Sequence, residues 1–262
     1  MDGFDGGCVE DARIVRFGET FFMTYAARMF PAGGSWRKPR APVRLEPPLP
    51  PESPLAARKN LTRSGLAVTN DFRKWYRLGP VTRAADDNRD AVLFPDTVGG
   101  RFVMLHRPAG WVGERHGCDR PSIWISFSED LLSWRQDSLL ATPMLPWESR
   151  EVGGGPPPIR TERGWLMLYY GMDDAGACRV GAMMLDLHDP RQVIARAPEP
   201  ILEPEAPCER EGLVPDTVFP CGNVVIGDRL FVYYGGAATV CCVATSVLDD
   251  LVAHVMAHPC RP

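Results

Sequence analysis

A repeat of about sixty residues constrains the fold of this 262-residue chain more than any other feature. Each repeat has an apolar strand, a tight turn with glycine, and a second strand rich in aromatic residues. A third strand follows and runs into an Asp-containing turn. The hairpins span residues 12–27, 91–107, 158–171 and 223–236, their turn glycines are Gly18, Gly100, Gly164 and Gly227, and the third strands begin at Gly65, Ser122, Arg179 and Cys242.

This repeat predicts an all-β fold. Units of this length with alternating apolar residues suit propeller blades of about four strands, because hardly any segment has the 3.6-residue period of a helix. The chain is long enough to bury one sizeable core. We therefore predict a single β-propeller domain over residues 1–262, with four repeats recognised and a ring of four or five blades.

A proline-rich stretch interrupts the first repeat. The interval from Gly18 to Gly100 exceeds the two that follow by about twenty residues, and the excess falls at about residues 30–60. That stretch carries eight of the 26 prolines, which can neither pair in a central strand nor continue a helix. We expect an excursion from the propeller, either a solvated loop without a role, a lid over the central site or a subunit contact.

The charge distribution limits the partners of the chain. A formal net charge of -4 and the lack of any Lys/Arg run argue against nucleic acid and anionic membrane surfaces. No apolar stretch approaches the roughly 18 residues of a membrane span, and Met1–Gly7 has no signal-peptide pattern. We expect a cytoplasmic protein that binds a small neutral molecule.

Cysteine and histidine spacing gives no metal site. The eight cysteines include no CxxC pair, so we expect reduced, mostly buried thiols. His254 and His258 are four residues apart but have no neighbouring carboxylate. We predict no metal and no cofactor.

Acidic residues stand at the start of the first repeat. Glu10 and Asp11 follow a Gly-rich turn and precede the first predicted strand, so one of them should project towards the central channel. A carboxyl group in that place could act as a general acid. The alternative is an ordinary turn-forming residue.

Cationic and acidic residues gather at one end of the second hairpin. Asn88, Arg89 and Asp90 precede one predicted strand, and His106 and Arg107 close its partner. Two guanidinium groups beside an imidazole suit phosphate or a carboxylate, because each guanidinium offers a fork of donors. The alternative is a set of ordinary surface ion pairs.

A series of strings in one order resembles glycoside hydrolase family 130. They are GCVEDARIV, NLTRSGLAVTNDF, DNRDAVLFP, VMLHRP, SIWISFSEDLLSW, GGGPPPIRTERGWLMLYYG, RVGAMMLDLHDPRQVIAR and VFPCGNVVIGDRLFVYYGG. The resemblance covers nearly the whole chain, from Gly7 to Leu251. It implies a five-bladed propeller whose members are mainly inverting β-mannoside phosphorylases, with some β-1,2-mannosidases.

The resemblance also implies roles for single residues near the first motif. Asp11 matches the Asp of a Glu-Asp-Pro-Arg motif and would be the catalytic general acid, working through a hydroxyl of the mannosyl unit. Glu10, Arg13 and Tyr170 would bind the substrate.

A second group of residues would hold phosphate. Arg89 and Arg107 match positions that bind this anion, with Asp90 and His106 in supporting roles. Inorganic phosphate would then be the co-substrate that attacks the anomeric carbon.

The chain departs from the family pattern in several places. Ala12 replaces the Pro of the motif, Glu151 stands where many phosphorylases have Lys, Cys178 where Tyr is expected and Ala238 where Asp is expected. The motif begins at Glu10, whereas family members carry roughly one more blade before it. We therefore expect either four blades in this chain, with open sheet edges that favour homo-oligomers, or a ring that closes in some other way.

Three functions remain open from the sequence. The first is inverting phosphorolysis of β-1,2- or β-1,4-linked mannosides to α-mannose 1-phosphate. The second is an inverting β-mannosidase with Glu151 as the base that activates water. The third is a non-catalytic sugar-binding propeller or a vestigial one.

Overall fold

The computed structural model describes residues 3–30, 50–53 and 58–260. Four antiparallel sheets follow one another along this part of the chain. The first contains β1 (Cys8–Phe17), β2 (Thr20–Arg28), β3 (Arg63–Thr69) and β4 (Tyr76–Pro80). The second contains β5 (Asn88–Leu93), β6 (Phe102–Pro108), β7 (Ile123–Ser128) and β8 (Arg135–Ala141).

The third sheet has five strands and the fourth has three. The third contains β9 (Glu151–Gly154), β10 (Ile159–Thr161), β11 (Gly164–Met172), β12 (Cys178–Leu185) and β13 (Val193–Arg196). The fourth contains β14 (Val218–Ile226), β15 (Arg229–Gly236) and β16 (Val240–Val247). The described helices include α1 (Pro207–Arg210), α2 (Leu248–Met256) and the 3-10 turns Glu114–His116 and Pro146–Glu148.

The four sheets form a four-blade β-propeller arrangement, which confirms the predicted all-β propeller fold. Strands β1, β5, β9 and β14 lead their sheets, and β1 lies against both β5 and β14 while β9 lies against β5. The leading strands therefore converge on a common centre. Gly164 begins β11 and directly follows the turn at residues 162–163, so its predicted place inside that turn was wrong.

Apolar side chains between neighbouring sheets form the core. Strands such as β7 and β11 are buried along almost their whole length, because a sheet inside a propeller packs against neighbours on both faces. Trp165 and Phe94 meet edge to face at 5.0 Å between the second and third sheets. The terminal helix α2, which the repeat pattern did not predict, buries Leu251 and Val255 against the third and fourth sheets.

The predicted proline-rich excursion at about 30–60 lies largely outside the described residues. Its two ends are described and are held together by one side chain. Asn60 accepts a hydrogen bond from the Phe30 amide at 3.0 Å and donates one to the Phe30 carbonyl at 2.9 Å. Pairing of β2 with β3 resumes with Ala27 opposite Arg63. The inserted segment therefore leaves the register of the first sheet intact.

The face of the fourth sheet that points away from the third sheet, here called its outer face, exposes apolar side chains. Tyr233, Val243 and Ile226 are each at least partly open to solvent, although strands of the second and third sheets are covered on both faces. Among the described helices, none is both long and apolar enough to cross a membrane.

We expect Leu105→Ala to destabilise the propeller strongly. Leu105 has no exposed surface and packs between the second and third sheets, so the truncation leaves a cavity and lowers the free energy of unfolding by about 2–5 kcal/mol. Urea denaturation measures this loss. The matched control is Leu213→Ala, since Leu213 is exposed and its truncation should change stability by less than about 0.5 kcal/mol. Equal losses in the two variants would contradict the assignment of the core.

Candidate active site

Two matching bulges place Asp11 and Asp90 at the centre of the propeller. Pairing of β1 with β2 shifts between Glu10 and Arg13, and pairing of β5 with β6 shifts between Arg89 and Val92. Asp11 (φ 60°) and Asp90 (φ 55°) lie in these bulges in the left-handed conformation, which Asp tolerates better than most residues. Both lie inside strands, so the prediction that they precede them was wrong. A bulge re-aims a side chain, here towards the converging leading strands.

Arg13 connects the first sheet with the third and fourth. Its guanidinium is buried and donates to the carbonyls of Asp11 (2.6 Å), Gly155 (3.2 Å) and Gly154 (3.4 Å). The carboxylates of Asp11 and Asp90 each lie 3.9 Å from it, and the Phe219 ring lies 5.3 Å away. Arg13 therefore spans the centre and brings the two bulges together.

Asp90 is the most deeply buried carboxylate of this group, with 2% of its side chain exposed. Its Oδ2 accepts hydrogen bonds from Arg107 Nε at 2.7 Å and from Tyr170 Oη at 2.9 Å. Burial lowers the pKa of Arg107, but Tyr170, Asp90 and Glu151 more than offset this and hold it well above its ordinary value. Arg107 therefore stays charged in the protein interior.

Glu151 extends the group onto the third sheet. Its Oε2 lies 3.6 Å from Arg107 Nη1, and 18% of its side chain is exposed. Two residues further on, a Cβ at Gly153 would lie 2.6 Å from Asp90 Oδ2 and would overlap the Tyr170 ring. Only glycine lets β9 approach this closely.

Arg89 points to a different carboxylate. Its Nε and Nη2 donate to the two oxygens of Asp87 at 2.8 and 3.2 Å, a bidentate pair at the start of β5. Burial raises the pKa of Asp87, but the hydrogen bonds and charge of Arg89 outweigh this and lower it. Sequence reasoning missed Asp87, which directly precedes β5 and lies two residues before Arg89.

Asp11 has the environment of a proton donor. Burial raises the pKa of its carboxyl group, the charges of Asp90 and Glu10 add to the increase, and Arg13 opposes it. With 30% of its side chain exposed, the group remains open to a ligand. A raised pKa keeps more of the acid protonated near neutral pH, as general acid catalysis requires.

The structure does not bring His106 to this group. His106 and Arg107 are neighbours on β6, so their side chains point to opposite faces of the sheet. The His106 ring lies within hydrogen-bond distance of Asn88 and Ser126. The supporting role that the sequence suggested for His106 in phosphate binding therefore has no contact that favours it.

Of the other residues expected to bind the substrate, two lie in this group and one does not. Tyr170 and Arg13 lie in the group, whereas the exposed Glu10 contributes charge near Asp11 without a described hydrogen bond of its side chain. Sequence reasoning missed Cys221, which sits in the bulge of β14 between Pro220 and Gly222. Burial raises the pKa of the Cys221 thiol to about 11, and Arg13 opposes the increase. No signal in the sequence pattern pointed to it.

We call Asp11, Arg13, Asp90, Arg107 and Glu151 the central cluster. It combines a carboxyl group with a raised pKa, two buried guanidinium groups and two further carboxyl groups, those of Asp90 and Glu151. Within the described ranges, no group of three or more His, Cys, Asp or Glu side chains is placed to hold a metal ion. A propeller with paired carboxylates and arginines at its centre is suited to acid–base chemistry on sugars.

Comparisons with known proteins identify the family. The chain belongs to glycoside hydrolase family 130, whose family model is described as beta-1,4-mannooligosaccharide phosphorylase and matches residues 56–257. This confirms the family resemblance. The matched range contains Arg89, Arg107 and Glu151, and Asp11 lies before it.

Two curated relatives and one solved structure show how far the similarity extends. The chain is 46% identical over 187 residues to a 1,2-beta-oligomannan phosphorylase of Thermoanaerobacter sp. (strain X514), covering 71% of this chain and 59% of the relative. It is 34% identical over 232 residues to a Listeria innocua beta-1,2-mannobiose phosphorylase, covering 88% and 55%. The structure of the beta-1,2-mannobiose phosphorylase from Listeria innocua, a beta-1,2-mannobiose complex, superposes with a TM-score of 0.79 at 29% identity, covering 98% of this chain and 63% of that one. The chain thus spans less than two thirds of these relatives.

We expect Tyr170→Phe to weaken the central cluster without changing its shape. The substitution removes the donor to Asp90 Oδ2 and leaves a buried carboxylate oxygen with one partner fewer, so the free energy of unfolding should fall by about 1.5–3 kcal/mol. Guanidinium chloride denaturation measures it. The control is Tyr233→Phe on the exposed face of β15, which should be nearly neutral. A neutral Tyr170→Phe would contradict the hydrogen bond.

Proposed function

We propose that this chain catalyses the inverting phosphorolysis of β-1,2- or β-1,4-linked mannosides, giving α-mannose 1-phosphate. The observation that carries the proposal is the continuous path from Asp11 through Arg13 and Asp90 to Arg107, which joins a proton donor to a buried cation. The phosphorylase names of the relatives support the same reaction class. The substrate is a small carbohydrate, and inorganic phosphate is the co-substrate.

Asp11 supplies the proton in this reaction. An oxygen of phosphate attacks the anomeric carbon from the face opposite the leaving group, and the bond from that carbon to the glycosidic oxygen breaks. The proton of Asp11 reaches the leaving oxygen through a hydroxyl of the mannosyl unit. Because phosphate is the nucleophile, a second catalytic carboxylate is unnecessary, whereas inverting hydrolysis needs one to activate water.

The arginines position the phosphate. Arg107 contacts Asp90 through Nε and approaches Glu151 through Nη1, so part of its donor fork remains for an anion. Arg89 lies on the paired strand opposite Arg107 and is held by Asp87. Fixed cations near the anomeric carbon lower the cost of bringing a dianion to an oxocarbenium-like centre.

The alternative reaction, inverting hydrolysis, would depend on Glu151. As a carboxylate 3.6 Å from Arg107, it competes with phosphate for the same cation and would serve as the base of an inverting β-mannosidase. The names of the relatives favour phosphorolysis over this alternative. Glu151 would then lower the affinity for phosphate without abolishing it.

The remaining expectations about the whole protein are proposals too. All eight cysteines lie within the described residues and are free thiols, which supports a reducing compartment such as the cytoplasm. The apolar outer face of the fourth sheet supports association into a homo-oligomer. Neither a cofactor nor a metal is needed for the proposed step.

We expect Asp11→Asn to lower the turnover of β-1,2-mannobiose with phosphate by about 10²–10⁴-fold, because the amide cannot donate the catalytic proton. Release of α-mannose 1-phosphate measures this turnover.

In the unsubstituted chain the rate should fall as pH rises through the raised pKa of Asp11, since only the protonated acid donates. The same alkaline decline should vanish in Asp11→Asn. Asp96→Asn, on an exposed surface pair, is the control and should retain full activity; a fully active Asp11→Asn would refute the proposal.

We expect Glu151→Gln to separate phosphorolysis from hydrolysis. Removing the negative charge beside Arg107 should lower the KM for phosphate by about tenfold, which corresponds to ~1.4 kcal/mol, while mannose 1-phosphate remains the product. Product analysis with and without phosphate measures both quantities. Free mannose formed without phosphate, and lost in Glu151→Gln, would establish the hydrolase instead.

A further inference from the structure

The connections between consecutive sheets bury a carboxylate at two interfaces. Between the second and third sheets, Glu148 in a 3-10 turn accepts a hydrogen bond from Tyr169 Oη at 2.9 Å. Between the third and fourth sheets, Glu209 in α1 accepts one from Tyr234 Oη at 2.6 Å. Each carboxylate also accepts hydrogen bonds from two backbone amides of its own connection. A helical turn thus fills the space between these sheets.

The interface between the first and second sheets is built differently. Residues 81–87 connect β4 to β5 without a helical turn, and β6 carries His106 where β11 and β15 carry the buried tyrosines. An open cavity of about 220 Å³ lies here, several times the ~30 Å³ that one water occupies in the liquid. Its wall includes Arg83, Asn88, His106, Trp111, Trp134 and Asp137.

One wall of this inter-sheet cavity is a hydrogen-bonded polar network. Ser126 Oγ donates to Asp137 Oδ1 at 2.6 Å and lies 2.8 Å from His106 Nε2, while the Asn88 amide lies 3.0 Å from His106 Nδ1. Arg83 Nη2 donates to Asp137 Oδ2 at 3.0 Å. Burial raises the pKa of Asp137, but the His106 ring 3.6 Å away, the hydrogen bond from Ser126 and the charge of Arg83 outweigh this and lower it. The groups are fixed before any ligand arrives.

Two indole rings line the same cavity. Trp134 donates its Nε1 to the Leu131 carbonyl at 3.1 Å, so its N–H is already used. The Trp111 ring has the Arg83 guanidinium 5.3 Å from its centre and stacks on His116 at 5.8 Å. The aromatic surface is therefore held in place beside the polar network.

We propose that the inter-sheet cavity is a second binding site, for an uncharged pyranose sugar. A pyranose presents an apolar C–H face to an aromatic ring and hydroxyl groups at its edge. Because Arg83 and His116 already lie against the Trp111 ring, Trp134 offers the indole surface, beside a carboxylate, a guanidinium and an amide. Since the charge of Arg83 is paired with that of Asp137, this guanidinium is not an unpaired cation that would attract an anion. An apolar ligand would leave the polar wall without partners, at a cost in free energy.

This site is separate from the central cluster. Successive side chains on β6 point to opposite faces, so His106 borders the inter-sheet cavity while Arg107 contacts Asp90 in the central cluster. Asp137 and Trp134 belong to the outer part of the second sheet, at β8 and the turn before it. Sugar bound here would leave the proposed reaction site free.

The test uses methyl α-D-mannopyranoside, whose α configuration makes it a non-substrate of the proposed reaction. Saturation-transfer difference NMR of its methyl signal should show saturable binding with a millimolar dissociation constant. Asp137→Asn and Trp134→Ala should each weaken that binding about tenfold or more. Asp11→Asn, in the central cluster, should leave it unchanged. Near-ultraviolet circular dichroism checks that each variant is folded.

Several outcomes would overturn the assignment. They are the absence of saturable binding, a loss of binding in Asp11→Asn but not in Asp137→Asn, and glycerol or inorganic phosphate binding as tightly as the mannoside. A crystal structure grown with the mannoside provides the second measurement in case a variant fails to fold. Density for the sugar between the first and second sheets supports the site, and density in the central cluster alone refutes it.

Discussion

The ion pair between Asp90 and Arg107 is the interaction on which the centre of this propeller depends. Burying two charges costs several kcal/mol for each ion, and only close geometry with further hydrogen bonds offsets that cost. Tyr170 supplies one such bond, Arg13 a second positive charge, and Gly153 the space for β9 to approach. Removing one member would leave a buried charge uncompensated, so the three sheets that contribute these residues hold one another in position.

Strand geometry decides which charged residues meet. The bulges of β1 and β5 turn Asp11 and Asp90 towards the centre, and the alternation along β6 sends Arg107 to the same place and His106 away from it. The same strand therefore serves two environments. One is the charged central cluster, and the other is the inter-sheet cavity, whose wall includes two indole rings.

The repeat in the sequence was enough to predict the all-β fold and four of its sheets, because period-two apolar strands and glycine turns are local signals. The placement of Asp11 inside β1 was not predictable, since a bulge is a shift in pairing that leaves the apolar pattern almost unchanged. The opposite faces of His106 and Arg107 could have been predicted from their adjacency. The approach of Glu151 to Arg107 depends on packing between sheets, which the sequence pattern does not encode. The catalytic and binding roles of these residues remain predictions.

Two hydrogen bonds between Asn60 and Phe30 close the base of the connection from β2 to β3. The pairing of these strands therefore does not depend on the length of the connection. Closing a longer loop costs only about 0.6 kcal/mol more for each doubling of its length. With these hydrogen bonds at the base of the loop, the sequence between them can change at small thermodynamic cost. The junction at Phe30 and Asn60 is thus a natural grafting point, where a peptide of chosen sequence could be exchanged for the existing one while β2 and β3 keep their pairing.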